Sequence, residues 1–233
     1  MAFPAQVAAP TQTQFASTVT SMPVTMPASV TSGNRLIATV SVRNSGTWST
    51  IPTGWTQLAQ QLGGGSASQL TIFEKIANGT EGGTTPTWVA SVATTAIWQV
   101  QQISGAHAST ASEVTTSSGD ATSADPPALT PSWGTDDTLW IAVAGHAAVS
   151  AAAFTAAPTN YSGFQNNGAS SGGSATSVAT AYRQLNASSE NPGTFTAGGS
   201  NRFWAAATIG VRPVASGGAT PITFITYRPP WRS

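Results

Sequence analysis

Few residues in this chain can carry chemistry, so their types and spacing can be weighed almost one by one. Cysteine is absent from the 233 residues, which removes thiolate nucleophiles, disulfides and Cys-based metal sites together. The two histidines, His107 and His146, follow Gly-Ala and Ala-Gly at the ends of predicted strands. Neither belongs to an H-E-x-x-H, H-x-H or H-x-x-x-H spacing, so no zinc or iron site is expected. The nearest approach to a nucleophile elbow, Gly63 to Ser68, lacks the second glycine of G-x-S-x-G.

Glycoside hydrolysis needs two carboxyl groups about 5 to 10 Å apart. Glu190 is isolated in sequence, and Glu74 stands beside Lys75 on a predicted strand, where a solvated face is the ordinary reading. Five acids, Glu113, Asp120, Asp125, Asp136 and Asp137, fall in the connection between the two halves of the chain. Oxygen-rich loops of this kind can hold calcium. The D-x-D-x-D-G spacing is missing, however, so solvated loop acids are expected, with Asp136-Asp137 acting as turn residues before a strand. The expectation is therefore a protein with no catalytic set, no metal and no cofactor.

The aromatic residues are the remaining candidates, since stacked rings form sugar platforms in many β-sandwich modules. Trp98 and Trp204, flanked by apolar residues, are expected in the core. Trp55 and Tyr161 occupy matching Pro-x-x-aromatic turns, where packing under a loop is the default. Trp48 lies in the polar loop Asn44 to Thr50 without a visible counterpart in the second half. It is the candidate ligand-binding residue.

The elements that would position these side chains are short strands. Leu36 to Val42 is apolar and β-branched between turn-rich segments, and the same holds for Gln69 to Ala77, Thr87 to Val92, Thr95 to Ile103, Thr138 to Ala144, Val178 to Leu185, Thr194 to Thr196 and Phe203 to Val211. Only His146 to Ala157 is dense enough in alanine to form a short helix, with a loop as the equal alternative.

Laying the second half on the first exposes an internal duplication. Pro52-Thr53-Gly54-Trp55 meets Pro158-Thr159-Asn160-Tyr161, and Trp98 to Ile103 meets Trp204 to Ile209, both at an offset of 106 residues. Leu36-Ile37-Ala38 resembles Leu139-Trp140-Ile141 at an offset of 103, and Phe73 to Asn78 resembles Tyr182 to Ala187 at 109. The predicted fold is all-β: an antiparallel, jelly-roll-like two-sheet sandwich over residues 16–214, built from pseudo-repeats at about 16–112 and 113–214. Two arrangements of the halves are open: alternating strands of one sandwich, which is favoured, or two small separate sandwiches.

Residues 1–15, rich in Ala, Pro and Gln, are expected to be an extension. Residues 215–233 read as a linker followed by a docking tail, in which Ile222, Phe224, Tyr227, Arg228, Trp231 and Arg232 are the candidate subunit contacts through strand addition.

Only 7% of the chain is Asp, Glu, Lys or Arg, with a formal net charge of +0, against about 25% charged residues in an ordinary domain. No basic footprint for nucleic acid or an anionic membrane exists, and no apolar run approaches the roughly 18 residues of a membrane span. Arg35 is the first basic residue, and no compact apolar stretch precedes it, so a secretory signal peptide is not expected.

Several of these segments together resemble a known pattern. Ser32-Gly33-Asn34-Arg35-Leu36-Ile37-Ala38, Pro52-Thr53-Gly54-Trp55-Thr56, Leu70 to Ala77, Pro86-Thr87-Trp88 and Ile103-Ser104-Gly105-Ala106 are similar to a series recurring in tailed-bacteriophage virion proteins, often called minor tail proteins. Here Asn34 replaces an acid, Phe73-Glu74-Lys75 replaces a Tyr-Lys step, and Gly105-Ala106 replaces Gly-Val. The resemblance covers about residues 30–110, with a weaker echo to 212. It implies a non-enzymatic structural protein, exposed at a tail tip, assembled in the host cytoplasm and carried on the virion. Its partners would be other virion proteins and further copies of itself, with host-surface carbohydrate an open contact. A capsid decoration or head-fibre protein is the alternative in the same setting; a free carbohydrate-binding module is the alternative of another class.

Overall fold

The computed structural model describes residues 2–66, 68–148, 154–171, 174–197 and 202–215. In chain order the strands are β1 Ala5–Gln6, β2 Thr11–Pro23, β3 Arg35–Val42, β4 Trp48–Thr50, β5 Thr56–Leu62, β6 Gln69–Ile76, β7 Thr87–Ser104, β8 Glu113–Gly119, β9 Asp136–Ala148, β10 Phe154–Ala156, β11 Ser162–Ser171, β12 Ser174–Ala187, β13 Thr196–Ala197 and β14 Arg202–Val211. The expected strands are present, but Thr87 to Val92 and Thr95 to Ile103 are one continuous strand, β7. The segment from His146 contains the end of β9 and all of β10, so the helical alternative is wrong for its described part. Residues 149–153 lie outside the described residues.

The antiparallel two-sheet sandwich is as expected, but its strands are not interleaved. Residues of the first half make one sheet in the order β1-β7-β3-β6-β5, with β2 and β4 also pairing β7; residues of the second half make the other, β11-β12-β9-β14-β8. The order is the same in both, since β8, β14, β9, β12 and β11 take the places of β2, β7, β3, β6 and β5. Each half closes on itself through hairpins such as β5 with β6 and β11 with β12, and short connections of this kind favour pairing within a half over a crossing between sheets.

The pairing register corrects two of the sequence matches. Val40 faces Trp98 and His146 faces Trp204; Leu36 faces Lys75 and Ala142 faces Ala181. An offset of 106 therefore holds through the sheets, and the offsets of 103 and 109 do not. An odd slip turns a strand's side chains to the other face. Leu36 accordingly packs on the outward side of the first sheet, whereas Leu139 packs between the sheets.

Three cores follow from this arrangement. Ile37, Leu70, Ile72, Ile97, Leu139, Ile141, Val178 and Ile209 fill the space between the sheets. Within that layer Ser41 and Thr176 share a hydrogen bond of 2.7 Å, and Thr180 donates to Gln99 at 2.7 Å. On the outer side of the first sheet, Trp55, Phe73, Trp88 and Trp98 pack beneath the segment carrying Met22, Val24 and Met26. Phe154, Phe195 and Trp204 make the matching core of the second sheet. Each half thus has a core of its own as well as a share of the common one, a combination of the two arrangements left open by sequence.

The expected extension at residues 1–15 is also corrected. Ala5 pairs with Ser104 and Thr11 with Val100, so β1 and the start of β2 belong to the first sheet. Their Gln/Thr/Ala composition hides them because an edge strand with two half-exposed faces has little apolar alternation.

Candidate functional site

The ionisable side chains, thinly spread in sequence, gather at the strand ends. Arg35 opens β3 and Glu74 lies near the end of β6, both facing the joint between the sheets. They form an ion pair with side-chain exposures of 3% and 7%. The second guanidinium nitrogen of Arg35 donates to the carbonyls of His107 at 2.6 Å and Thr110 at 2.8 Å. Glu74 accepts the backbone N–H of Ser112 at 3.1 Å. Residues 107–112 are the connection between the two sheets, so this pair binds that connection to the first sheet. The expectation that Glu74 lies on a solvated face is wrong: alternation along β6 puts Lys75 outward and Glu74 inward.

His107 supports the same turn, its Nδ1 accepting the backbone N–H groups of Thr110 at 3.0 Å and Ser109 at 3.3 Å. A cleft of about 260 Å³ opens beside the pair, lined by Arg35, Glu74, Lys75, Gly54, Thr56 and Ser109 among others. It holds one carboxylate already neutralised by a guanidinium. No second carboxyl lines it for acid–base work.

Two further ion pairs occupy comparable places in the two halves. Lys75 reaches Glu81 at 3.0 Å, and Arg183 reaches Glu190 at 2.9 Å. Glu81 accepts the backbone N–H groups of Asn78 and Gly79, each at 3.0 Å. Burial pushes the Glu81 carboxyl up, but the Asn78 N–H and the Lys75 ammonium outweigh it and hold the group below its ordinary range. In the second half the Tyr161 hydroxyl donates to Glu190 at 3.4 Å. Burial, then the nearby Glu190 charge, pushes the Tyr161 phenol well above its usual value. Glu190 therefore serves as a fold carboxylate too.

The turn below each pair is built alike. The N–H of Trp55 donates to Pro52 at 3.1 Å and that of Tyr161 to Pro158 at 3.2 Å. The third residue of each turn has positive φ, 84° at Gly54 and 69° at Asn160, a conformation open to Gly and tolerated by Asn.

Trp48 is half-buried beneath this architecture. Its ring meets Trp98 edge-on at 5.3 Å and Phe73 at 5.5 Å, and its indole N–H donates to Thr71 at 3.1 Å. It does have a counterpart: Trp48 pairs with Ala90 as Phe154 pairs with Ala197. With the ring packed and its donor used, Trp48 acts in the outer core. A shared ring, rather than a shared residue type, was the signal that the sequence comparison missed.

Trp98, Trp204 and Trp55 are buried as expected. Of the five loop acids, Asp120 and Asp125 are exposed, as expected, and the other three have local partners. Glu113 accepts from the N–H of Ser132 at 2.9 Å, Asp136 forms an ion pair with Arg212 at 3.6 Å, and Asp137 accepts from the Asn186 amide at 2.6 Å. That amide lowers the Asp137 carboxyl below its ordinary value. Among the described residues no three His, Asp or Glu side chains converge as a metal site would require. Ile222, Phe224, Tyr227, Arg228, Trp231 and Arg232 lie outside the described residues.

Compared with protein-family models, curated proteins and solved structures, the chain matches none. The fold and its polar clusters define an all-β, two-sheet sandwich whose described ion pairs join strand ends and connections.

Proposed function

We propose that this chain is a non-enzymatic structural component of a bacteriophage virion, an exposed tail-tip or minor tail subunit that docks to neighbouring subunits. The observation that carries the proposal is the character of its free edges. β5 (TQLAQQL) and β11 (SGFQNNGASS) end their sheets, and neither contains a charge or a proline. Each strand carries one register irregularity, between Gln57 and Ala59 and between Ser162 and Gln165, but neither has the Lys or Pro with which monomeric proteins also guard such edges. Edges of neutral amides and hydroxyls suit contacts between subunits, where each charge would have to be desolvated. The buried Arg35–Glu74 pair and the half-buried Arg183–Glu190 pair add support, because both isolated carboxylates are committed to the fold.

The test is mass spectrometry of purified particles from a host producing this chain. Its peptides should co-purify with virions through a density gradient at a fixed stoichiometry. Virions free of the chain would overturn the proposal.

A further inference from the structure

The connection between β6 and β7 carries an exposed Asn-Gly pair, Asn78-Gly79, with Gly79 at φ 92°. The side-chain Oδ1 of Asn78 accepts two hydrogen bonds from Thr80, from its backbone N–H at 2.9 Å and from its hydroxyl at 2.7 Å. The N–H of Gly79 donates to Oε2 of Glu81 at 3.0 Å. Glu81 is itself 6% exposed, and its Oε1 holds the Lys75 ammonium and the Asn78 N–H, each at 3.0 Å. Among the described residues no hydrogen bond engages Asn78 Nδ2.

These contacts set the parts of one reaction around the amide carbon of Asn78. Closure of a succinimide ring needs the Gly79 nitrogen to attack Cγ, negative charge to gather on Oδ1 and the Gly79 proton to leave. An amide nitrogen attacks through the lone pair perpendicular to its plane, whereas its N–H lies in that plane. The in-plane bond to Glu81 therefore leaves the attacking direction open and supplies an acceptor for the proton. Two donors already directed at Oδ1 stabilise the charge that develops there, as in an oxyanion hole. Glycine at the attacking position has no Cβ to obstruct the approach, and it holds positive φ without strain.

We propose that Asn78 is a self-modifying site, converted by its own folded turn to aspartate and isoaspartate, with Glu81 taking the proton and Thr80 holding the oxyanion. The bond from Gly79 N to Asn78 Cγ forms and the Cγ–Nδ2 bond breaks. The Gly79 proton passes to Glu81 Oε2 and then to Nδ2, which departs as ammonia. Water next opens the ring at either carbonyl, and Glu81 ends unchanged. A chain of formal net charge +0 thereby gains a negative charge beside Glu81. The turn is also tied to the outer core, since the N–H of Thr84 donates to the Glu81 carbonyl and that of Met26 to the Thr84 carbonyl, each at 3.0 Å. An isoaspartate lengthens the backbone just ahead of that attachment.

A second Asn-Gly pair, Asn167-Gly168, serves as an internal reference. It lies within β11, where Gly168 pairs with Ser177, and the Gly168 N–H donates to the Oδ1 of Asn167 at 2.8 Å. Among the described residues no carboxylate accepts that N–H.

The test follows the full-length protein at neutral pH, folded or in guanidinium chloride, by mass spectrometry of peptides with the aspartate and isoaspartate forms separated. Asn78 of the folded protein should convert about tenfold faster than Asn78 of the unfolded chain, and faster than Asn167 in the same molecules. Thr80→Val removes one oxyanion donor at an exposed position and should slow the folded protein about tenfold. Glu81→Gln removes the base and should bring the rate to that of the unfolded chain or below. Melting curves establish that the variants are folded at the incubation temperature. Thr80→Val leaves Lys75 and Glu81 intact, so it decides the matter if Glu81→Gln does not fold. Conversion in the folded protein no faster than in the unfolded chain would mean that the turn shields the amide, and would overturn the proposal. Folded variants that convert at the wild-type rate would overturn it as well.

Discussion

The guanidinium of Arg35 and the carboxylate of Glu74 form an ion pair, 3% and 7% exposed, at the point where the connection between the two sheets folds back on the first. Through the carbonyls of His107 and Thr110 and the N–H of Ser112, the pair also satisfies that connection's backbone. Replacing Glu74 with Gln leaves the Arg35 charge buried without a counter-charge, and breaking such a pair costs about 3–5 kcal/mol. The expected outcome for Glu74→Gln is a lower urea midpoint with an unchanged slope. Arg35→Met combined with Glu74→Leu should recover part of that loss, and a double-mutant cycle measures the coupling.

Acid should weaken the Glu81 turn. The Glu81 carboxyl has a folded pKa below its ordinary value of 4.5, so its contribution is complete above that value and is lost as pH falls through the lower folded value. Melting temperature followed from pH 7 downward should therefore fall below about pH 4.5. Glu81→Gln should be less stable than the wild type at pH 7 and show a shallower acid decline.

The two Pro-x-x-aromatic turns should differ in their tolerance of substitution. Gly54→Ala forces a Cβ into positive φ and within 3.1 Å of the Lys75 side chain, costing about 1–2 kcal/mol. Asn160→Gly places the permissive residue at φ 69° and should stay within about 0.5 kcal/mol of the wild type. Thermal melts of the two variants in parallel decide the point.

Trp48→Ala removes a ring in edge contact with Trp98 and Phe73 and one of the two donors to the Thr71 hydroxyl, leaving the Gln69 amide. Loss of a buried aromatic costs about 3–5 kcal/mol, and a half-buried one should fall at or below the lower end. Phe154→Ala, at the matching place, should be destabilising as well. If Trp48→Ala left stability unchanged while abolishing binding on a glycan array, the ring would be a ligand contact and its packing incidental.

Legibility in the sequence followed burial. β3, β6, β7, β9, β12 and β14 pack against apolar layers and show apolar or β-branched runs. β1, β2, β5, β8 and β11 escaped notice because they lie at sheet edges, with Gln, Thr, Ser and Asn along both faces. The duplication was legible where turns and tryptophans anchor it. It slipped by three residues in β9 and β12, since similar apolar triplets fit in more than one register.

The sequence by itself determined the all-β class, the Pro-x-x-aromatic turns and the burial of Trp98 and Trp204, because each depends on local residue types and their period. Only the tertiary structure decided which face each strand buries, that each half forms its own sheet, and that Glu74 meets Arg35 while Lys75 meets Glu81. Register is the physical reason. Adjacent residues of a strand point to opposite sides, so the partner of a charge depends on a one-residue choice that only pairing with the neighbouring strands can make.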